Sequence, residues 1–265
     1  MGFVIGRARL AGELGALELP PGGVVLVHCG MRHIGRVEGG AGALLAAIRD
    51  VLGADGTVVA PAQTPGNSLT SRAYRAATAG MTGAERAAYE AAMPGFDRDT
   101  TPSHGMGAFA EAVRRHPGAR RSAHPQTSFA AVGAAAAEVV RDHDLDCHLG
   151  ERSPLGALYR LRATLLMIGV GMDKCAALHL AEYRLPVPPP LMTFSCFVIE
   201  NGQRRFRQFT APSLDDRDFA LVGADLLDQP WARHGRLGAA TAHVLPMVAA
   251  VDHSAIWFEK NRGRQ

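Results

Sequence analysis

The chain reads as an α/β domain built in three layers, and three features of its 265 residues predict this. Short runs at Val24 to His28, Thr57 to Ala60 and Leu165 to Val170 are apolar without alternation, the mark of strands buried on both faces. Alanine- and leucine-rich segments of helical length separate them, so helices would cover both sides of a sheet. Late in the chain, Asn201-Gly202 stands between two strand-like runs, which predicts a hairpin closed by a type I′ turn. With 47% hydrophobic residues, the length suits a single domain over 1–265, interrupted by an insertion at 62–104.

In chain order, helical spacing of apolar residues predicts a first helix over 3–16, ended by the turn Leu19-Pro20-Pro21-Gly22-Gly23. The strand Val24 to His28 follows, then a glycine-rich segment from Cys29 to Gly40 and a helix from Ala41 to Leu52 that stops at Gly53. After the strand Thr57 to Ala60 comes the long polar stretch 62–104, with a helix predicted at 83–92. So long an irregular segment is usually functional. Helices are predicted at 105–116 and 134–143, with a strand from Ser128 to Val132 between them. Leu165 to Val170 reads as the central strand, and a helix from Ala176 to Tyr183 ends before Pro186. The hairpin pairs Met192 to Ile199 with Arg204 to Phe209, and helices at 215–228 and 247–261 complete the chain.

Composition excludes several classes. The net charge of +3 is spread over scattered arginines instead of one basic stripe, which disfavours nucleic-acid binding. No apolar run approaches the roughly 18 residues of a membrane span, and the first residues lack the pattern of a secretory signal. Cys29, Cys147, Cys175 and Cys196 form no Cys-x-x-Cys pair, so neither a zinc site nor a disulfide framework is expected. A reducing cytoplasmic setting fits.

Four patterns carry chemistry. The strand, glycine-rich loop and helix at 24–52 resemble a phosphate cradle, although the spacing matches neither common nucleotide motif and a tight βα turn explains it as well. His28-Cys29 has the composition of an activated thiol nucleophile, yet neighbours in a strand point to opposite faces. His179 follows the central strand, where α/β proteins gather catalytic groups, and Glu182 shares its helical face. A structural pair accounts for both residues too, and no third ligand completes a metal site. Acidic residues at Glu90, Asp97 and Asp99, at Asp142, Asp144 and Asp146, and at Asp215, Asp216 and Asp218 would suit a polycationic ligand if they faced one cleft, or a solvated surface if they did not.

Ordered strings over nearly the whole chain resemble the aminoglycoside 3-N-acetyltransferase family. They are Val27-His28 with Met31 to Gly40, Gly56 to Pro61, Thr101-Pro102 with Met106-Gly107, Arg121 to Pro125 with Ser128 to Ala131, Gly150 to Gly156, and Leu178 to Tyr183. The resemblance implies the three-layer antibiotic N-acetyltransferase-like fold with a central mixed sheet, a substrate-binding insertion at 62–104 and a late β-hairpin. It implies acetyl-coenzyme A as donor co-substrate, with Met31, Arg32, His33, Ile34 and Gly35 against its phosphate and pantetheine portion and Arg121-Ser122 as companions. The family's histidine falls on His179, the implied base for the antibiotic's 3-amino group. Asp97 is the first choice among Glu90, Asp97 and Asp99 for holding other ammonium groups. No metal is expected, and a homodimer is compatible with the resemblance.

The sequence also departs from the family pattern. Cys29 stands for a serine, and Ala176-Ala177 for a Thr-Ser pair. The stretch Phe209 to Ser213 lacks the carboxylate that pairs with the family's histidine, which leaves Asp215, Asp216 or Glu182 to replace it. Acetylation of another amine on the same fold, or silent binding of antibiotic or coenzyme, are the competing expectations.

Overall fold

The computed structural model describes residues 4–262. Its first half contains α1 (Arg7–Gly15), β1 (Val24–Cys29), α2 (Met31–Ile34), α3 (Gly40–Leu52), β2 (Thr57–Pro61), α4 (Arg72–Thr78), α5 (Gly83–Ala92), α6 (Gly107–Arg114), β3 (Arg120–Arg121) and β4 (Phe129–Gly133). The second half contains α7 (Ala136–Val139), α8 (Pro154–Arg160), β5 (Thr164–Ile168), α9 (Leu178–Glu182), β6 (Leu191–Glu200) and β7 (Gln203–Pro212). It closes with α10 (Phe219–Leu227), β8 (Arg233–Leu237), β9 (Ala240–Pro246) and α11 (Met247–Arg262).

Seven strands form one mixed sheet in the order β3-β4-β2-β1-β5-β9-β8. The parallel centre is β2-β1-β5, with Leu26 in register with Val59 on one side and Leu165 on the other. Strands β4 and β9 flank it antiparallel. Alternation along β1 divides the core: Val25 and Val27 pack with Leu44, Ile48, Phe109 and Val113, while Val24 and Leu26 join Leu155, Leu178, Val251 and Phe258. Both faces of the sheet are thus covered by helices, as the uninterrupted apolar runs require. No helix among the described residues is long and apolar enough to cross a membrane.

The hairpin β6–β7 stands apart as a two-stranded unit in which Glu200 pairs with Gln203. Asn201 and Gly202 have φ of 52° and 73°, the left-handed pair that a type I′ turn demands. The 62–104 stretch leans on this hairpin, with bridges from Ser68 to Cys196 and from Phe96 to Val198.

Several expectations need correction. The first helix begins only at Arg7, because Ile5 pairs with Val37; residue 3 of the expected range lies outside the described residues. The glycine-rich segment is not a plain loop, since α2 makes one turn within it. The helix expected at 134–143 is reduced to α7, and the chain turns away after Val139 so that His143 can dock under Ser122. The helix expected at 215–228 starts at Phe219, which leaves Asp215 and Asp216 in the preceding loop. Helices α4 and α8 and the second hairpin, β8–β9, were not expected at all.

That second hairpin fixes the loop after β1. Its tip residue Ala239 donates its N–H to the Ile34 carbonyl at 2.8 Å, closing the end of α2. Gly238 has φ of 59°, and a Cβ there would press on the Ile34 carbonyl oxygen and on Ile5. Gly202, with its comparable φ, has open space around it. Gly238→Ala is therefore expected to lower stability by about 2–3 kcal/mol, and Gly202→Ala by about 1 kcal/mol, since only the first combines a left-handed backbone with a clash. Urea melts of both variants check this; equal losses would refute the packing argument.

Candidate active site

A cleft of about 830 Å³ opens beyond the carboxyl ends of β1, β2 and β5, where an α/β sheet leaves room for ligands. Its wall includes His28, Cys29, Gly30, Met31 and Arg32 after β1, and Pro61 and Gln63 after β2. The start of α6, from Gly105 to Ala110, closes one side, and Val170, Asp173, Lys174, Ala176 and His179 close the other. The crossing of the β1 and β5 ends demands glycine. A Cβ on Gly30 would lie 2.7 Å from the Gly169 carbonyl oxygen.

His179 sits in α9 with its ring against Phe219, the centroids 4.7 Å apart. Its Nδ1 is 2.6 Å from Oε2 of Glu182, whose side chain is only 1% exposed. The other Glu182 oxygen accepts the Asp215 N–H at 2.9 Å and Nη1 of Arg262 at 2.6 Å. Arg262 also donates to both carboxylate oxygens of Asp218, at 2.5 and 2.6 Å, and to the Asp215 carbonyl at 2.7 Å. A carboxylate accepts only, so Nδ1 donates to it, and in the neutral ring Nε2 is the nitrogen with the lone pair. Glu182 is thus the carboxylate that meets His179. Asp215 instead holds Arg217 at 2.6 Å, and Asp216 lines the cleft while bonded to Arg72 at 2.7 Å.

The His28-Cys29 pair does not form a nucleophilic couple. His28 Nε2 accepts the Ala176 N–H at 3.1 Å, and burial pushes its pKa down to about 4. Burial pushes the Cys29 thiol up to about 12, so a negligible fraction is thiolate at neutral pH.

Other expected site residues are placed elsewhere. Within the loop after β1, Met31 and Arg32 line the cleft, whereas Ile34 is fully buried in the core, the His33 ring is bonded to the Gly169 carbonyl, and Gly35 ends α2. Arg121 is buried and donates to Ser128 Oγ at 3.0 Å and to the Ala62 and Thr101 carbonyls; Ser122 Oγ bonds His143 and the Phe129 N–H. Both tie the 62–104 segment and the histidines to the sheet edge, away from the cleft. Asp97 caps its own turn, accepting the N–H groups of Asp99 and Thr100 at 2.9 and 2.8 Å. Glu90 accepts from the Tyr74 hydroxyl, and Asp99 lies on a separate cleft of about 430 Å³ among arginines. Asp144 and Asp146 both bind Arg152, and Asp142 pairs with Arg141, as solvated surface pairs do. Among the described residues, no group of three or more His, Cys, Asp or Glu is placed to hold a metal.

Sequence spacing missed a stack of three buried histidines. His124 lies 4.7 Å from His143 and 4.6 Å from His148 between ring centroids, and His148 lies 4.3 Å from Phe194 of the hairpin. His124 Nδ1 accepts the N–H groups of Gln126 and Thr127, and His143 Nε2 donates to the His148 carbonyl at 2.8 Å. Burial holds His143 at about 3 and His148 at about 4, and drives His124 well below its ordinary value. Between pH 6.5 and about 4 the unfolded chain therefore takes up protons that the folded one refuses. Stability is full above pH 6.5 and falls as the pH drops, by about 1.4 kcal/mol for each tenfold preference. Urea midpoints at pH 7.5, 6 and 5 should decline steadily, with a shallower decline in His148→Phe; a flat profile would contradict the neutral stack.

The comparisons with known proteins agree with this architecture. The family model for aminoglycoside 3-N-acetyltransferase matches residues 26–259. An aminoglycoside N(3′)-acetyltransferase-like protein, YokD of Bacillus subtilis, is 32% identical, with 96% of this chain and 93% of the relative covered. Aminoglycoside N(3)-acetyltransferase VII of Streptomyces paromomycinus is also 32% identical, over 98% and 93%. The crystal structure of YokD superposes with a TM-score of 0.92 at 30% identity, covering 100% of this chain and 97% of that one. AAC-IIIb in its binary complex with coenzyme A gives 0.84 at 28% identity, over 97% of both chains. AAC-VIa bound to sisomicin gives 0.83 at 26%, over 97% and 98%. With the family model and full-length relatives in agreement with the fold, this chain belongs to the aminoglycoside 3-N-acetyltransferase family of acyltransferases.

Proposed function

We propose that the protein transfers the acetyl group of acetyl-coenzyme A directly to the 3-amino group of an aminoglycoside, with His179 as general base. The observation that carries this reading is the fixed tautomer of His179. A buried carboxylate holds Nδ1–H, so Nε2 is the basic nitrogen of a ring that lines the cleft. As the amine nitrogen bonds to the thioester carbonyl carbon, Nε2 takes its proton. The C–S bond then breaks and the proton passes to the leaving thiolate. Glu182 offsets the imidazolium charge in the interval.

The residues at the donor side fit coenzyme A. Met31, Met106 and Val170 offer an apolar wall to a pantetheine arm, and Arg32 offers a cation to phosphates. Helix α6 begins at the cleft with Gly107, whose φ is 85°, and adds the positive end of its dipole. Use of this donor supports a cytoplasmic setting for the reaction. The 62–104 insertion forms the acceptor side, supported by Gln63 in the wall and by Arg72 on Asp216. Names of the relatives and the sisomicin complex of AAC-VIa support the acceptor class.

One observation favours a second reading, an amine outside the aminoglycosides. Asp215, Asp216 and Glu182 each already face an arginine, so their charge is offset before a cationic acceptor arrives. Thiol release from acetyl-coenzyme A, measured with aminoglycosides and simple amines in parallel, separates the two; turnover with simple amines alone would reject the first.

His179→Ala is expected to lower kcat by at least about 100-fold while coenzyme A affinity is retained, because the base acts on the acceptor. Glu182→Gln should lower kcat by at least about tenfold through loss of ring orientation and charge. Cys29→Ser should stay active, and an acetyl-thiol adduct trapped on Cys29 would instead show a covalent route. Thiol-release kinetics and calorimetric titration with coenzyme A check these outcomes, and wild-type turnover in His179→Ala would reject the assigned base.

A further inference from the structure

Two carboxylates, Asp173 and Asp216, stand among the described residues that line the His179 cleft, and each already has a cation. Asp173 is held by its chain neighbour Lys174 at 2.8 Å. Asp216 is held by Arg72, which reaches across from the first residue of α4 in the insertion, with Nη2 2.7 Å from Oδ1 and Nη1 3.4 Å from Oδ2. The two partners differ in setting. The Arg72 side chain is 75% exposed, while Asp216 is 39% exposed and sits in the cleft wall with His179 and Phe219. Burial opposes ionisation of Asp216, yet Arg72 and the nearby His179 hold its carboxyl below the ordinary value, so it is charged at neutral pH.

We propose that Arg72 is a displaceable stand-in for a substrate ammonium group: a polycationic acceptor seats one ammonium on Asp216 by swinging Arg72 into solvent, which makes the Arg72–Asp216 pair a specificity element of the acceptor site. This rests on the polycationic acceptor of the proposed function. An exposed ion pair contributes roughly 1 kcal/mol or less, so exchanging one cation for another on the same carboxylate costs little. Acceptors with a second ammonium group near the reacting amine can make the exchange. A mono-amine cannot occupy both positions, and for it the latch stays closed.

Calorimetric titration of sisomicin and of cyclohexylamine, together with KM and kcat from thiol release, tests the latch in wild type, Arg72→Ala and Arg72→Gln. With the competitor removed, sisomicin should bind about threefold tighter and KM should fall alongside, an improvement exceeding any change seen with cyclohexylamine. In an Asp216→Asn background the Arg72 substitutions should no longer matter, since the two residues act as one unit. Unchanged or weaker sisomicin binding in both Arg72 variants overturns the proposal, as does tightening that persists without the Asp216 charge. Tightening without thiol release from any amine supports the latch and counts against acetyl transfer, so the two readings fail separately.

Discussion

A carboxylate that is 1% exposed must be fully partnered or its burial would be prohibitive, and Glu182 meets that demand by gathering three parts of the chain. His179 lies one turn before it, the Asp215 N–H comes from the loop after the β6–β7 hairpin, and Arg262 comes from the last turn of α11. Arg262 is steadied in turn by Asp218 and by the face of Phe258, 3.8 Å from its ring centroid. The position of α11 against α9, and of the loop before α10, thus follows from one buried charge. The orientation of the His179 ring is the chemical result.

The opposite wall of the cleft depends on backbone closeness instead of charge. Gly30 and Gly169 let the ends of β1 and β5 approach, and the Gly30 N–H reaches the Ile168 carbonyl at 2.8 Å. His28 then spans from β1 to the Ala176 N–H, linking the end of that strand to the segment that leads into α9. A thiol beside it at Cys29 stays protonated in this apolar setting, so it adds no charge to the cleft wall that His179 shares.

The parts of this fold that were legible in the sequence are those whose signals are local. Uninterrupted β-branched runs marked β1, β2 and β5 because burial on both faces removes polar alternation, and Asn201-Gly202 marked its turn because both residues need positive φ. Strand β8 is hidden because an edge strand such as Arg233-His234-Gly235-Arg236-Leu237 is mostly polar and exposed, and β9 because Ala240 to Pro246 alternates small buried residues with polar ones, a weaker signal than an unbroken apolar run. Helix α8 does carry a local signal, Ser153 as cap and Pro154 in the first turn, inside the string Gly150 to Gly156. At the site, the His179–Glu182 pair followed from helical spacing. Arg262, Arg72 and the histidine stack meet their partners across long stretches of chain, and no spacing rule reports such encounters. Arg121 poses the opposite problem, since a basic residue in a shared string looks the same whether its donors face a phosphate or, as here, the Ala62, Thr101 and Arg98 carbonyls and the Ser128 hydroxyl.

The order in which the chain leaves the ribosome gives the late second hairpin a further meaning. Strand β5 needs β9 as its second neighbour, pairing Thr164 with Pro246, and Glu182 needs Arg262. Until β9 and α11 have been synthesised, an apolar central strand has an open edge and a buried carboxylate lacks its cation. Folding of this domain therefore waits for β9 and α11, and its slow step should be the docking of that segment. A product truncated before β9 would lack both the second neighbour of β5 and the Arg262 cation that steadies the Glu182–His179 pair.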